Sequence, residues 1–478
     1  MTSPWDALTL PRAAVRDLFL RVLGLVFVVA FLSLHSQVTL LVGEKGLLPA
    51  GEWLDSVRMS GASFFRVPTI FWLVGAGDGV LRAMSLLGAV LSLGLVFLVL
   101  PRPCLLLLWA LYLSFATIGQ DFLSFQWDNL LLESAFFALF VAPGGVRPRR
   151  APAPHPVAVF LMLFLVFRLH VESGTSKLLT GDPTWRDLSA MATYYETAPI
   201  PTRLAWWAHQ LPRGFHEASS LSTFVVEIGL APCVFLPWRR ARLAVFVAML
   251  GMQASIALTA NYGFFNWLSA ALLLFVLDDG HLDWIARRFR KPLAPRAPAR
   301  RSDARTAGLA IVAFAAVPLS VVPFLGFLDR SGGLVRETLP IARVLWAYRS
   351  INAYHLFASM TIDRYEVVIE GSDDGGSTWK AYEFRYKPGD PMRPPPFVAP
   401  HQPRVDFQMW FLALRGRRPR EPWFARLVEK IRDDPETVAP LFSVNPFPDA
   451  PPKEVRIRVE KYRFTDRATR RATGAWWR

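Results

Sequence analysis

Long apolar runs separated by short polar segments fill the first two-thirds of the chain. They lie at about 18–40, 80–100, 104–119, 127–142, 156–171, 219–237, 243–260, 264–278 and 307–328. A helix needs roughly 20 apolar residues to cross the hydrocarbon core, so about nine spans are expected. The run 67–75 is too short to cross and is expected to lie at the interface or to re-enter. The preceding segment, 43–66, is polar and Gly-rich and reads as an outside loop. Beyond about 335 the texture changes. YEVVIEGSDDGGSTWKAYEFRYKPG alternates on either side of a Gly/Asp turn, the pattern of a β-hairpin. EVRIRVEKYRFTD alternates again, as a late strand would. VDFQMWFLALRG and PWFARLVEKIRDDPETVAPLF have helical spacing, and DPMRPPPFVAPHQPR reads as an ordered extended strap. The expected fold is a polytopic α-helical membrane domain over 1–330, including an outer loop at 172–218. An extracytoplasmic domain follows over 335–478, a small antiparallel β-sandwich carrying helical insertions.

Charge adds a direction to this pattern. The chain carries a net +15 and is 53% hydrophobic, with a mean hydropathy of +0.29. A soluble protein this basic would suggest nucleic acid. Here the basic residues sit in short loops between apolar runs, so no nucleic-acid partner is expected. Arg12, Arg16 and Arg21 precede the first span and place the N-terminus in the cytosol. Alternation then puts inside the loops at 101–103, 144–156, 238–242 and 279–306. These hold Arg102, then Arg147, Arg149 and Arg150, then Arg239, Arg240 and Arg242, and finally the cluster at 287–305. The last reads as a flexible Arg/Ala/Pro linker next to anionic lipid. The 172–218 loop and the C-terminal domain fall outside. The first apolar run lacks a small-residue cleavage site and reads as a span, not as a signal peptide. Only Cys104 and Cys233 are present, both in or beside spans, so neither a disulfide framework nor thiol exchange by the outer domain is expected.

The candidate chemistry concentrates between 166 and 212. The helix entering this stretch carries Arg168, His170, Glu172 and Lys177. The polar and aromatic loop after it carries Asp182, Trp185, Arg186, Asp187, Tyr195 and Glu196. Charges beside a bilayer are costly without partners. Glu133 lies deep in the 127–142 run, with Arg168 as its candidate partner. The simpler reading of that pair is helix registry; the sharper one is catalysis. Asp128, near the membrane surface, fits a helix cap or loop partner, and Glu227 is a further intramembrane acid. Arg168 and Glu172 share a helix face. Lys177 could act as a base at the mouth of an apolar cavity, or simply snorkel to the surface. No second His or Cys stands at ligand spacing, so no metal site is expected.

The runs FQWDNLLLES, SGTSKLLTGDPTWRDLSAMATYYETAPIPTRLAWWAHQLP, APHQPRVDFQMW (with His401 and Arg404) and NPFPDAPPKEVRIRVEKYRFTD resemble the lipase maturation factor family. That resemblance implies a membrane-bound folding factor, chaperone-like, with no established covalent reaction and no cofactor. Its client would be a secreted protein, a lipase among the candidates. The location would be the endoplasmic reticulum membrane in a eukaryote or the inner membrane in a bacterium. A shorter likeness joins Gly174, Lys177, Leu178, Asp182 and Trp185 to a segment of vitamin K-dependent γ-carboxylase. On that likeness Lys177 would be the base of an integral-membrane enzyme acting on a lipid-soluble cofactor or a polypeptide.

Two readings result. A maturation factor would bind its client through the outer surface, with Trp206, Trp207, Trp410 and Trp423 as candidate contacts unless they pack the β-domain onto the bundle. An enzyme would need Lys177 free in an enclosed pocket with Glu133, Arg168 and His170. In either case the charges of the loop are expected to dock the C-terminal domain. The binding set is Asp128, Glu133, Arg168, His170, Asp182, Trp185, Arg186, Tyr195, Glu196, His401 and Arg404.

Overall fold

Apolar helices that cannot bury every face in water pack side by side into a bundle. The computed structural model describes residues 4–148, 150–299, 302–328, 346–414 and 421–478. The bundle consists of α1 (Ala13–His35), α2 (Asp78–Val96), α3 (Pro101–Ile118), α4 (Gln126–Val141), α5 (Pro156–Leu179), α6 (Arg213–Phe224), α7 (Arg239–Thr259), α8 (Phe265–Leu273) and α9 (Asp303–Leu328). Helix α6 continues through a π-helical turn, Val225–Gly229, and a tighter turn to Phe235. Among the described residues, seven helices are long and apolar enough to cross a membrane, α6 being counted to Phe235. The runs expected at 127–142 and 264–278 form α4 and α8, of 16 and 9 residues. Both fall short of a crossing length, because polar Gln126 and Asp128 begin one and a 3-10 turn cuts the other. Arg149, Arg300, Arg301 and the expected domain boundary at 330–335 lie outside the described residues.

The N-terminal arginines and the loops read as inside meet at one end of the bundle. Arg12 Nε donates to the carbonyls of Phe275 and Leu277, and Asp279 accepts from the first amides of α1. Arg16 reaches Pro152 O at 2.6 Å, Arg102 reaches Ala142 O at 2.7 Å, and Arg242 pairs with Asp278. The linker expected over 287–305 is preceded by a helix that overlaps only its first two residues. A capping box at Asp278 and His281 opens a helix, Asp279–Arg288, before the extended residues that follow.

The segments 43–66 and 67–75 lie toward the opposite end. The first contains a helix, Ala50–Met59, and the second a single turn, Phe71–Val74. Phe71 is buried there while Leu73 is exposed.

The C-terminal region covers that opposite end. Strands β1 (Arg364–Ser372) and β2 (Lys380–Ala381) form the expected hairpin. Strand β5 (Glu454–Tyr462) pairs antiparallel with β1 over nine residues, from Arg364↔Tyr462 to Ser372↔Glu454. Strands β3 (Glu383–Phe384) and β4 (Phe442–Val444) make a separate two-stranded ribbon. Where a β-sandwich was expected, the described residues hold this three-stranded sheet and ribbon. Helix α10 (Arg404–Leu414) packs against β1, and α11 (Pro422–Asp433) places Trp423 on Phe122 of the bundle. The Pro-rich strap is irregular and ordered: Asn261 Oδ1 accepts from Val398 N and Ala399 N at 2.7 and 2.9 Å.

Tyr382 packs between Phe442 and Phe447 beside the ribbon, and its burial, reinforced by Asp373, pushes the phenol up to about 12. A phenol raised above its unfolded value of roughly 10 stabilises the fold below that value. The contribution fades as pH rises through the interval. The thermal midpoint of the full chain in detergent should therefore fall between about pH 10 and 12. Tyr382→Phe should make that fall shallower, as read by tryptophan fluorescence.

Candidate functional site

Four buried ionic clusters stitch the C-terminal region to the bundle. The first centres on Arg168 of α5. Its Nη1 donates to Glu133 Oε1 of α4 at 2.7 Å, its Nε to Glu172 Oε1 at 2.9 Å, and its Nη2 to Asn352 O. Glu133 Oε2 accepts from Asn352 N, Asn352 Nδ2 and the Tyr354 hydroxyl, the last at 2.7 Å. Glu172 Oε2 accepts from Tyr354 N at 2.8 Å. Burial and the Glu133 carboxylate raise the Tyr354 hydroxyl, which keeps it in its donating form. One cation and two carboxylates thus hold the segment 352–354 inside the bundle.

The second cluster is built on Asp128. Arg404 of α10 grips it with two hydrogen bonds of 2.6 and 2.8 Å, and the Tyr112 hydroxyl donates to the same carboxylate at 2.5 Å. Arg404 also donates to Phe122 O at 2.9 Å. A planar guanidinium matched to a carboxylate fixes orientation as well as distance. Asp128 is fully buried, so the surface cap or loop partner expected from its position is instead the base of a domain clamp.

The third cluster joins Lys177 to Glu227 at 2.7 Å, with further hydrogen bonds to Leu356 O at 2.9 Å and Ser173 O at 3.2 Å. Glu227 sits in the π-helical turn, and such turns re-aim a side chain that a regular helix would point elsewhere. Gly174 makes the approach possible, since a Cβ there would stand 2.6 Å from Ile228 and 2.9 Å from Glu227. Lys177 also lies 5.3 Å from the Trp185 ring centre. It borders a 710 Å³ cavity, yet its three donors are all taken. The fourth cluster joins the later part of the loop to the sheet. Glu196 Oε2 accepts from Phe464 N at 2.6 Å, and buried Arg364 of β1 donates to the carbonyls of Glu196, Ala198 and Pro199.

The remaining candidates fall into two groups. Asp182 caps the turn at Thr184 and accepts from Met360 N at 2.7 Å, while Trp185 Nε1 donates to Phe357 O. His401 Nδ1 meets Ser33 Oγ at 2.9 Å. Tyr195 is buried against Tyr194 and His216. Among the described residues, His170 bonds only back to Val166 O of its own helix. Arg186 and Asp187, expected to dock the C-terminal domain, are exposed, and Asp187 accepts from Ser189 N. They follow a short turn that ends at the surface. Among the tryptophans, Trp206 and Trp423 are buried, Trp410 is half-buried with Nε1 on Thr197 O, and Trp207 is exposed at 47%.

Sequence reasoning missed the segment 349–358, which every one of the first three clusters uses or neighbours. Arg349 donates to Leu123 O and Ala116 O at 2.6 and 2.9 Å. The segment has no periodicity; its one signal is an Arg, Asn, Tyr and His packed into RSINAYH just before the first strand.

A bundle of membrane-length helices, capped at one end by a partly β-structured region through buried charged groups, defines a polytopic integral membrane protein. Residues 14–284 match the lipase maturation factor transmembrane domain, and residues 350–478 match the lipase maturation factor C-terminal domain. The chain is 35% identical to lipase maturation factor 2 of Gallus gallus over 98% of its own length and 80% of that protein. It is 33% identical to lipase maturation factor 2 of Homo sapiens, covering 97% and 81%. It is 32% identical to lipase maturation factor 1 of Bos taurus, covering 97% and 86%. The chain belongs to the lipase maturation factor family. No solved structure matches it. Neither these relatives nor the position of Lys177 supports the carboxylase-like reading.

Proposed function

We propose that the protein is a membrane-bound maturation factor that assists the folding of secreted or translocated proteins, lipases among them. The observation that carries this reading is the family relationship, which covers nearly the whole chain and both of its parts. The C-terminal region is the client-facing part, on the lumenal side in a eukaryote or the periplasmic side in a bacterium, and the arginine-rich end faces the cytosol. Holding the client is binding work, which suits a rigid platform over a reactive centre. Domains joined by one buried, geometrically matched ion pair and by buried charges that hold the facing backbone supply that rigidity.

Deleting the gene should lower secreted lipase activity without lowering lipase transcript. Unchanged activity would overturn the proposal. Lys177→Met should still restore secretion when its expression level is matched to the wild type, although the lone Glu227 destabilises it by about 3–5 kcal/mol. Lys177→Met/Glu227→Gln should recover most of that loss. A folded Lys177→Met protein that fails to restore secretion would instead argue for a chemical role of the lysine.

A further inference from the structure

Next to the Lys177–Glu227 pair lies a second cavity, of about 410 Å³. It sits where α5, α7 and α8 meet the segment 355–359, and both it and the 710 Å³ cavity fall near the roughly 300–1,000 Å³ of small-molecule sites. Its walls are largely aromatic, with Phe125, Trp127, Phe265, Phe407 and Phe411 among them. The two cavities share Glu227, Met252, Ile256 and Phe357 as lining, so they adjoin.

Among the described residues, three residues of this wall carry a buried polar atom without a hydrogen-bond partner: Trp127, Tyr262 and His170. His170 is 2% exposed and lines the smaller cavity, and its Nε2 has no hydrogen-bond partner. Its Nδ1 faces Val166 O at 2.8 Å and must donate to that carbonyl. In the neutral ring this tautomer leaves Nε2 as an acceptor on the opposite edge. A buried acceptor left without a donor is costly. Of the other polar groups close by, Ser173 Oγ donates to Leu169 O, Gln253 Oε1 accepts from Asn266 Nδ2, and the unpartnered Trp127 Nε1 can only donate.

The route in is also visible. The larger cavity lies between the α6 run and α7, lined by Thr223 and Val226 on one side and by Ala248 and Ser255 on the other. These are among the least covered of the long helices, with 28% and 22% of their apolar windows buried against 72% for α5. Leu221, Val225, Val247 and Leu258 are exposed on them, a surface suited to acyl chains. A ligand from the hydrocarbon phase can enter between α6 and α7 and reach His170 along Met252 and Ile256.

We propose that the 410 Å³ cavity is a binding site for a single-chain amphiphile ending in a hydroxyl or protonated carboxyl group. That group donates to His170 Nε2, and the chain runs past Met252 and Ile256 into the neighbouring cavity. The inference stands apart from the maturation role, because it concerns a small ligand in a cavity between the bundle and the C-terminal region and not a protein client.

The test uses the full-length protein in phosphatidylcholine nanodiscs and a hexadecanol carrying a mid-chain diazirine. Photolabelling should saturate, map to 248–259 and 355–359, and be competed by unlabelled hexadecanol. A diazirine hydrocarbon of the same length without the hydroxyl should label about tenfold less at equal concentration. His170→Leu should lower labelling by the alcohol about tenfold and leave the hydrocarbon unchanged. If that variant does not fold, Ile256→Trp, which narrows the passage, must abolish labelling. Non-saturable labelling, labelling confined to other peptides, or equal labelling by the headless probe would overturn the site. Native mass spectrometry of the protein extracted in mild detergent separates the sources. A retained fatty alcohol, fatty acid or monoacylglycerol supports the proposal and identifies its ligand, whereas retained diacyl phospholipid or no adduct overturns it. Lipase secretion is not the readout, so failure here leaves the maturation proposal untouched.

Discussion

Arg168→Leu is expected to be the most damaging single substitution in the bundle. It removes the only side-chain cation within hydrogen-bond reach of both Glu133 and Glu172 among the described residues, and both carboxylates are buried. Breaking one buried pair costs about 3–5 kcal/mol, because the remaining charge has no solvent to return to. Here two like charges are left, so the loss should reach at least the upper part of that range. Proteins of ordinary stability have only about 5–15 kcal/mol in total. The expected outcome is a protein that reaches the membrane at sharply reduced abundance and melts early in detergent. The segment 352–354 should become cleavable by added protease, since Asn352 and Tyr354 are tied to the same carboxylates. Glu133→Gln/Glu172→Gln in the Arg168→Leu background should restore a large part of the stability. A melting midpoint unchanged by Arg168→Leu alone would mean that the cluster does not clamp this segment.

The second large effect is at the Asp128 clamp. Arg404→Leu should cost about 3–5 kcal/mol, with the loss located at the contact between α10 and the bundle. Arg404→Lys should recover little. A lysine cannot reproduce the two hydrogen bonds to Asp128 and the third to Phe122 O from one planar group. Hydrogen exchange is the discriminating measurement. Helix α10 and the strap before it should lose protection while α1 to α3 keep theirs, because those three helices pack chiefly on one another. Uniform loss over the whole chain would show that α10 is part of the bundle's own stability unit. A double-mutant cycle between Asp128→Asn and Arg404→Leu should show coupling of at least about 1 kcal/mol.

Part of this site was legible in advance. The i, i+4 spacing put Arg168 and Glu172 on one face, and they are bonded. Depth in the apolar run called for a partner to Glu133, and the candidate, Arg168 near the outer end of its own span, is its partner. Asp182 and Glu196 could be expected to dock the C-terminal region because a polar loop beside a membrane must place its charges somewhere, and both do. Arg186 and Asp187 looked the same by that reasoning and are exposed, because a short turn directs them outward. Glu227 was seen as an acid in need of a partner, but not as the partner of Lys177. A regular helix would aim it differently, and a π-helical turn leaves no reliable trace in residue order.

The amino-acid sequence alone determined the apolar runs, the main hairpin and late strand, and the likeness to the lipase maturation factors. These are local or additive properties, readable from period and length. Only the tertiary structure decided which runs are too short to cross and where the C-terminal region sits. It also decided which groups neutralise the buried acids. Asp128 meets an arginine 276 positions away, and Glu133 meets an asparagine 219 positions away. A buried charge fixes that a partner must exist, since burial without one costs several kcal/mol. It does not fix which partner, because that depends on how distant segments pack, and no periodicity along the chain encodes it.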